Sequence, residues 1–197
     1  IQNNMNIKKG LTLAITLVFL LLPCAAHAVV TGKLDNGLSY ALDSNEKGSE
    51  SLSLRLVVRS GSALETEEQQ GLAHFVEHML FKGSDSFPKM TALKSLEEYG
   101  AFFGKHINAA TSYDSTSFYV NLPTTDKKAL DIAIKILGDM AFHASFDPQA
   151  LELERGVILD EYRRTISSSS YMSRKTRWDS LMEGSSYASR QPIGIPA

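Results

Sequence analysis

The stretch "GLAHFVEHMLFKG", residues 71–83, carries His74 and His78 four positions apart with Glu77 between them. On a helix turning about 100° per residue, these three side chains fall within an arc of roughly 100°. Both imidazoles can therefore reach one point with the carboxylate beside them. Two histidines one turn apart form a zinc-ligand pair, and the glutamate stands where a general base is needed. On the other side, Leu72, Phe75, Val76, Met79 and Leu80 recur at helical spacing and predict a stripe facing a core.

The competing reading is a solvated helix face. A catalytic zinc usually takes a third protein ligand and keeps one position for water. Candidates for that ligand lie in "ALELERGVILDEYRR", where Leu151, Glu154, Val157, Ile158 and Glu161 share one helical face. Glu152, Arg155 and Arg163 share the other. Glu154 and Glu161 are seven residues apart, so they nearly superimpose on the apolar side. Carboxylates there are costly unless paired, hydrogen-bonded or bound to metal; neutralisation by Arg or Lys is the alternative.

The elements that must position these groups mix without strict alternation. Residues 29–42 read as two short strands around Asp35-Asn36-Gly37, a hairpin sequence, and residues 51–59 as a half-buried strand. Helices are expected at 71–82 and 89–99. Residues 107–123, rich in Thr, Ser and aromatic side chains, predict strand pairing closed by Pro123. Helices at 125–143 and 148–166 follow, the second opening at Asp147-Pro148. The serine run 167–170 predicts a break or a mobile loop, and a last helix spans 171–183. The expected class is α+β, a mixed or antiparallel sheet packed against helices.

With 197 residues, 43% apolar and 21% charged, the chain suits one ordinary domain. Nothing suggests nucleic acid as a partner. Residues 1–28 read as leader and signal peptide: Lys8 and Lys9, an apolar run from Leu11 to Leu22, then small residues ending at Ala28. The four residues before Met5 read as upstream sequence. The run is short of the roughly 20 residues that span a bilayer, so no stable membrane anchor is expected after cleavage. Loss of the two lysines moves the net charge from −2 to −4 over residues 29–197. Cys24, the only cysteine, leaves with the signal, so a metal site must use His, Asp and Glu. The expected destination is outside the inner membrane, in a bacterial periplasm.

The segments "GLAHFVEHMLFKGS", "NAATSYDST" and "ELERGVILDE", in this order, resemble the pitrilysin/insulinase family of zinc metallopeptidases. Its His-x-x-Glu-His motif is inverted relative to thermolysin-type enzymes, and mitochondrial processing peptidase and many bacterial proteases share it. The resemblance implies one zinc ion held by His74, His78 and Glu161, with Glu77 as general base of a metalloendopeptidase. It implies that Glu154 supports a ligand histidine from behind and that Asn108 lines the substrate cleft. It also implies a fold like the processing peptidase/LuxS-like metallohydrolase domain.

A peptide or small protein would be the substrate, and a second homologous domain or subunit would complete the cleft. Residues 29–197 would be an N-terminal peptidase domain cut short at its C-terminus. The alternatives are a non-catalytic peptide-binding subunit, against which the intact motif argues, and an inactive fragment of a larger peptidase. The stretch "GAFFGKHINAATS" is longer than usual and resembles a bacterial subgroup, and Phe118 stands where many members have tyrosine. His106 and His143 are not assigned as ligands.

Overall fold

The structure is a computed structural model that describes residues 29–44 and 48–196. The signal-peptide expectation for residues 1–28 lies outside the described residues. Two compact units divide the chain after Ser49. In the first, β1 (Val30–Lys33) and β2 (Ser39–Leu42) form the expected antiparallel hairpin, with Val30 opposite Leu42. Its turn places Gly37 at φ 90°, and Asn36 Oδ1 accepts from Leu38 N at 3.1 Å. A positive φ and a side chain folding back onto its own backbone are what Asn-Gly supplies in a tight turn.

The second unit holds a three-stranded antiparallel sheet of β3 (Leu52–Val58), β4 (Ile107–Thr111) and β5 (Thr116–Leu122), in the order β3-β5-β4. Thr116, Phe118, Val120 and Leu122 alternate inward from β5. The register sets Leu52, Leu54 and Leu56 opposite Leu122, Val120 and Phe118, so one face of the sheet is continuous apolar surface. No other strand pairs with the outer edge of β3 or β4 among the described strands.

The helices are α1 (Leu72–Met79), α2 (Thr91–Glu97), α3 (Lys127–Phe142), α4 (Pro148–Ile166), α5 (Ser169–Leu181) and the single turn α6 (Ser186–Ser189). Asp126 caps α3 by accepting from Lys128 N at 2.7 Å, which satisfies a donor that the helix leaves open. Ala129, Ala133, Ile136, Leu137 and Met140 then form its buried stripe, packed with Phe118, Val120 and Leu122 of β5. Phe118 is buried to 1% exposure, so truncating it to alanine should cost about 3–5 kcal/mol. Here the missing tyrosine hydroxyl spares the core a buried polar atom.

Three expectations need correction. The α1 stripe does not face the core as a whole: Met79 is fully buried, but Leu72 is 48% exposed. With Val76 and Leu80, Leu72 lines an open apolar groove beside Val58 and Phe142. The polar side of α1 is the more enclosed one, because α4 and β4 pack against it, and Glu77 is buried to 8%. The break in the serine run is present but confined to Ser167 and Ser168: α4 ends at Ile166, and α5 already starts at Ser169. The helix expected at 89–99 is shorter, since Lys89 and Met90 take left-handed φ of 52° and 64° before Thr91.

Candidate metal centre

The side of α1 that carries His74 and His78 is set at its start. Gly71 has φ 92°, and its amide donates to Glu65 Oε2 at 2.9 Å, while Ala73 N donates to Glu65 Oε1 at 2.7 Å. Open amides and a positive helix end make this a natural seat for a carboxylate. Arg190 secures the same loop, donating to the Glu65 carbonyl at 2.9 Å and pairing with Glu67 at 2.8 Å. Opposite, Gly194 presses its backbone on Gly71, so closely that a Cβ on Gly194 would lie 2.4 Å from Gly71 Cα.

From this start, His74 and His78 fall one turn apart and turn their Nε2 atoms toward each other at 3.2 Å. Glu161 of α4 brings Oε2 to 3.7 Å from His74 Nε2 and 3.5 Å from His78 Nε2. These three residues are a cluster whose donor atoms could hold one metal ion. A tetrahedral zinc with bonds of about 2.0–2.2 Å separates its ligand atoms by roughly 3.3–3.6 Å. The donor triangle has that size, and two imidazoles with one carboxylate is a zinc donor set, so the residues fit the ion.

The groups behind the triangle orient it. His78 Nδ1 donates to Glu154 Oε1 at 2.8 Å, which leaves the Nε2 lone pair facing the centre. Lys82, one turn beyond His78, contacts Glu154 Oε2 at 2.6 Å. Burial pushes the Glu154 carboxyl up, and hydrogen bonds from Lys82 and His78 more than reverse this, leaving it below the usual carboxylate range. Burial and the adjacent His78 hold the His74 imidazole below its usual range, which favours the neutral, ligating form. His74 Nδ1 is buried with no partner among the described residues, so this ring lacks the support that His78 has.

Glu77 points into the same cleft, which encloses about 670 Å³. Thr111 Oγ1 donates to its Oε2 at 2.5 Å. Asn108 lines the cleft as well, its Oδ1 accepting from Ala109 N at 2.9 Å. All six residues named from the sequence thus share one cavity. Phe103, from the long "GAFFGKH" stretch, packs edge-on against Phe81 and forms an apolar wall there. His106 accepts from Phe102 N at 3.1 Å, and His143 lies 3.6 Å from Asp85 at the end of α3.

Sequence reasoning missed Glu65, Lys82 and Thr111. Lys82 had a signal, since it continues the His74, His78 row at the next turn. Glu65 and Thr111 had none, because their contacts depend on how loop and strand meet α1.

Residues 40–186 match the sequence pattern described as insulinase (peptidase family M16). The chain belongs to the insulinase family. Within that family it is 36% identical over 163 residues to the probable zinc protease PqqL of Haemophilus influenzae, covering 83% of this chain and 18% of that protein. The crystal structure of the periplasmic protease PqqL from Escherichia coli superposes with a TM-score of 0.80 at 34% identity, over 88% of this chain and 19% of the other. Against the first half of that protease the TM-score is 0.81, and 37% of the half is covered. The chain therefore spans less than a fifth of the length of these full-length insulinase-family relatives. The α+β fold is the one these family members share.

Proposed function

We propose that this chain carries the metal-binding half-site of a zinc metalloendopeptidase. The observation that carries the reading is the donor triangle of His74, His78 and Glu161, with sides of 3.2, 3.5 and 3.7 Å, set beside the buried carboxylate of Glu77. Zinc, when bound, lowers the pKa of water and polarises the scissile carbonyl. Glu77 takes a proton from the attacking water and passes it to the departing amine. Thr111 occupies Glu77 Oε2, which leaves Oε1 free to accept that proton. Glu154, anchored by Lys82, keeps His78 turned toward the centre. Asn108 lies in the cleft wall, where it can hydrogen-bond an extended peptide. The products are two peptides, with no covalent enzyme intermediate.

The experiment is metal analysis joined to a cleavage assay. About one zinc per chain, cleavage lost with a chelator and restored by zinc, and a Glu77→Gln variant that keeps zinc but cuts nothing are the expected results. Purified protein that takes up no zinc overturns the proposal.

One fact favours a second reading, zinc binding without cleavage by this chain alone. It spans less than a fifth of the PqqL relatives, which leaves room for a second homologous domain to complete the cleft. Zinc uptake without cleavage, with activity restored in a longer chain, distinguishes the two. Export to the periplasm is part of the proposal. It is supported by Lys8, Lys9 and the apolar run that follows, and by the PqqL relative described as periplasmic. No described helix is long and apolar enough to cross a membrane.

A further inference from the structure

A second groove, of about 440 Å³, continues the metal cleft along α4 and α5. Thr165, one turn after the ligand Glu161, lines both, as do Pro192 and Ile193. A peptide leaving the metal centre along that side has this groove as its path. Its floor is aromatic: Tyr113 stacks on Trp178 with ring centroids 5.2 Å apart and planes at 21°. Both rings are fixed, Tyr113 by its hydroxyl donating to Gln191 at 3.1 Å and Trp178 by Nε1 donating to the Tyr187 carbonyl at 2.9 Å.

The rim is basic. Arg174, Lys175 and Arg177 line the groove, and no acidic residue does. Lys175 is paired with Asp179. Arg174 donates to the Ser170 hydroxyl, and among the described residues neither guanidinium has a carboxylate partner. Two uncompensated guanidinium groups over a rigid aromatic floor stand out in a chain whose net charge is −2. Guanidinium pairs well with planar carboxylates, and the rings give the intervening chain an apolar bed.

We infer that this groove is a substrate subsite that takes an acidic segment of the peptide, its Asp or Glu side chains bound by Arg174 and Arg177. The inference rests on the metallopeptidase reading for its meaning as a subsite. Binding of acidic peptides can be measured without cleavage. Exposed ion pairs are individually weak, so the two together are expected to give about tenfold in affinity, fading at high salt.

Trp178 is the only tryptophan in the chain and reports on the groove directly. The test titrates the chain with an uncharged peptide and with versions carrying consecutive glutamates or lysines, following Trp178 fluorescence. The glutamate peptide should bind about tenfold more tightly than the uncharged one. The R174Q/R177Q double variant should lose that gain, and R174E/R177E should prefer the lysine peptide. Thermal unfolding of each variant checks that it is folded, and the reversed preference cannot come from misfolding.

Equal binding of glutamate and lysine peptides, or an undiminished gain in R174Q/R177Q, overturns the inference. So does a short oligothymidylate that binds as tightly as the glutamate peptide. If the acidic preference holds but zinc is never taken up, the groove stands and the peptidase reading falls. If zinc-dependent cleavage occurs with no charge preference, the peptidase reading stands and the groove assignment falls.

Discussion

Thr111 Oγ1 donates to Glu77 Oε2 at 2.5 Å, across 34 positions of sequence. The strand β4 and the helix α1 thus share responsibility for where the proposed base points. Replacing Thr111 by valine keeps the side-chain shape and removes the donor. A hydrogen bond to a charged group contributes about 1.5–3 kcal/mol, so kcat should fall by roughly ten- to a hundredfold. Zinc content and KM should not change. Unaltered kcat in steady-state kinetics would show that Thr111 does not position Glu77.

Lys82 and Glu154 form a support that can be removed from either end. Lys82→Met leaves the Glu154 carboxylate, 5% exposed, without its cation and raises its pKa. His78 then loses a firm acceptor at Nδ1. Zinc affinity should drop by about ten- to a hundredfold in a chelator competition, with Glu154→Gln giving a change of the same sign.

Zinc that binds only the folded chain must also stabilise it. At a free concentration of 100 to 1,000 times Kd, the gain is about 2.7–4.1 kcal/mol, or roughly 5–15 °C in Tm for a domain of this size. A calorimetric scan with zinc and with chelator measures it. Glu161→Gln should reduce the zinc-dependent rise, while Glu77→Gln should keep it.

Asp139 gives a prediction about pH. Burial pushes its carboxyl up, but donors from Ser84 Oγ, Ser86 N and Ser86 Oγ outweigh this and hold it below the usual value. A depressed folded pKa stabilises the fold above the unfolded value, near pH 4, and that contribution is lost as pH falls through the folded value. Asp139→Asn should therefore cost about 2–4 kcal/mol at pH 6–8, and the gap to the parent should close below about pH 4. Denaturant unfolding at several pH values checks the sign.

Gly194 has φ 73° and meets Gly71 backbone to backbone, so Gly194→Ala faces both strain and a clash. A cost of about 1–3 kcal/mol is expected, concentrated in the segment after Ser189. Faster proteolysis there, with helix content preserved, is the outcome to look for.

How much of this was legible depends on the range of the interaction. The bounds of α4 follow from Asp147-Pro148 and from helical spacing, both local, and they agree with the structure. That His74, Glu77 and His78 share one side of α1 was legible for the same reason. Glu154, which is buried, was legible because a carboxylate on an apolar face needs partners; Glu161 is 39% exposed and was singled out by its two-turn spacing from Glu154. The side of α1 that is enclosed was not legible, since it depends on α4 and β4 arriving there. Thr111 and Glu65 are invisible in the sequence for the same reason: their partners are chosen by tertiary packing.

The sheet order β3-β5-β4 has a consequence for the chain in solution. The outer side of β3 has no strand partner among the described strands, and its Val57 and Val58 are 51% and 39% exposed. Such an edge is a template onto which another strand can add. A preparation of these residues alone should self-associate through it as concentration rises, and lysine or proline placed on the edge of β3 should keep it monomeric.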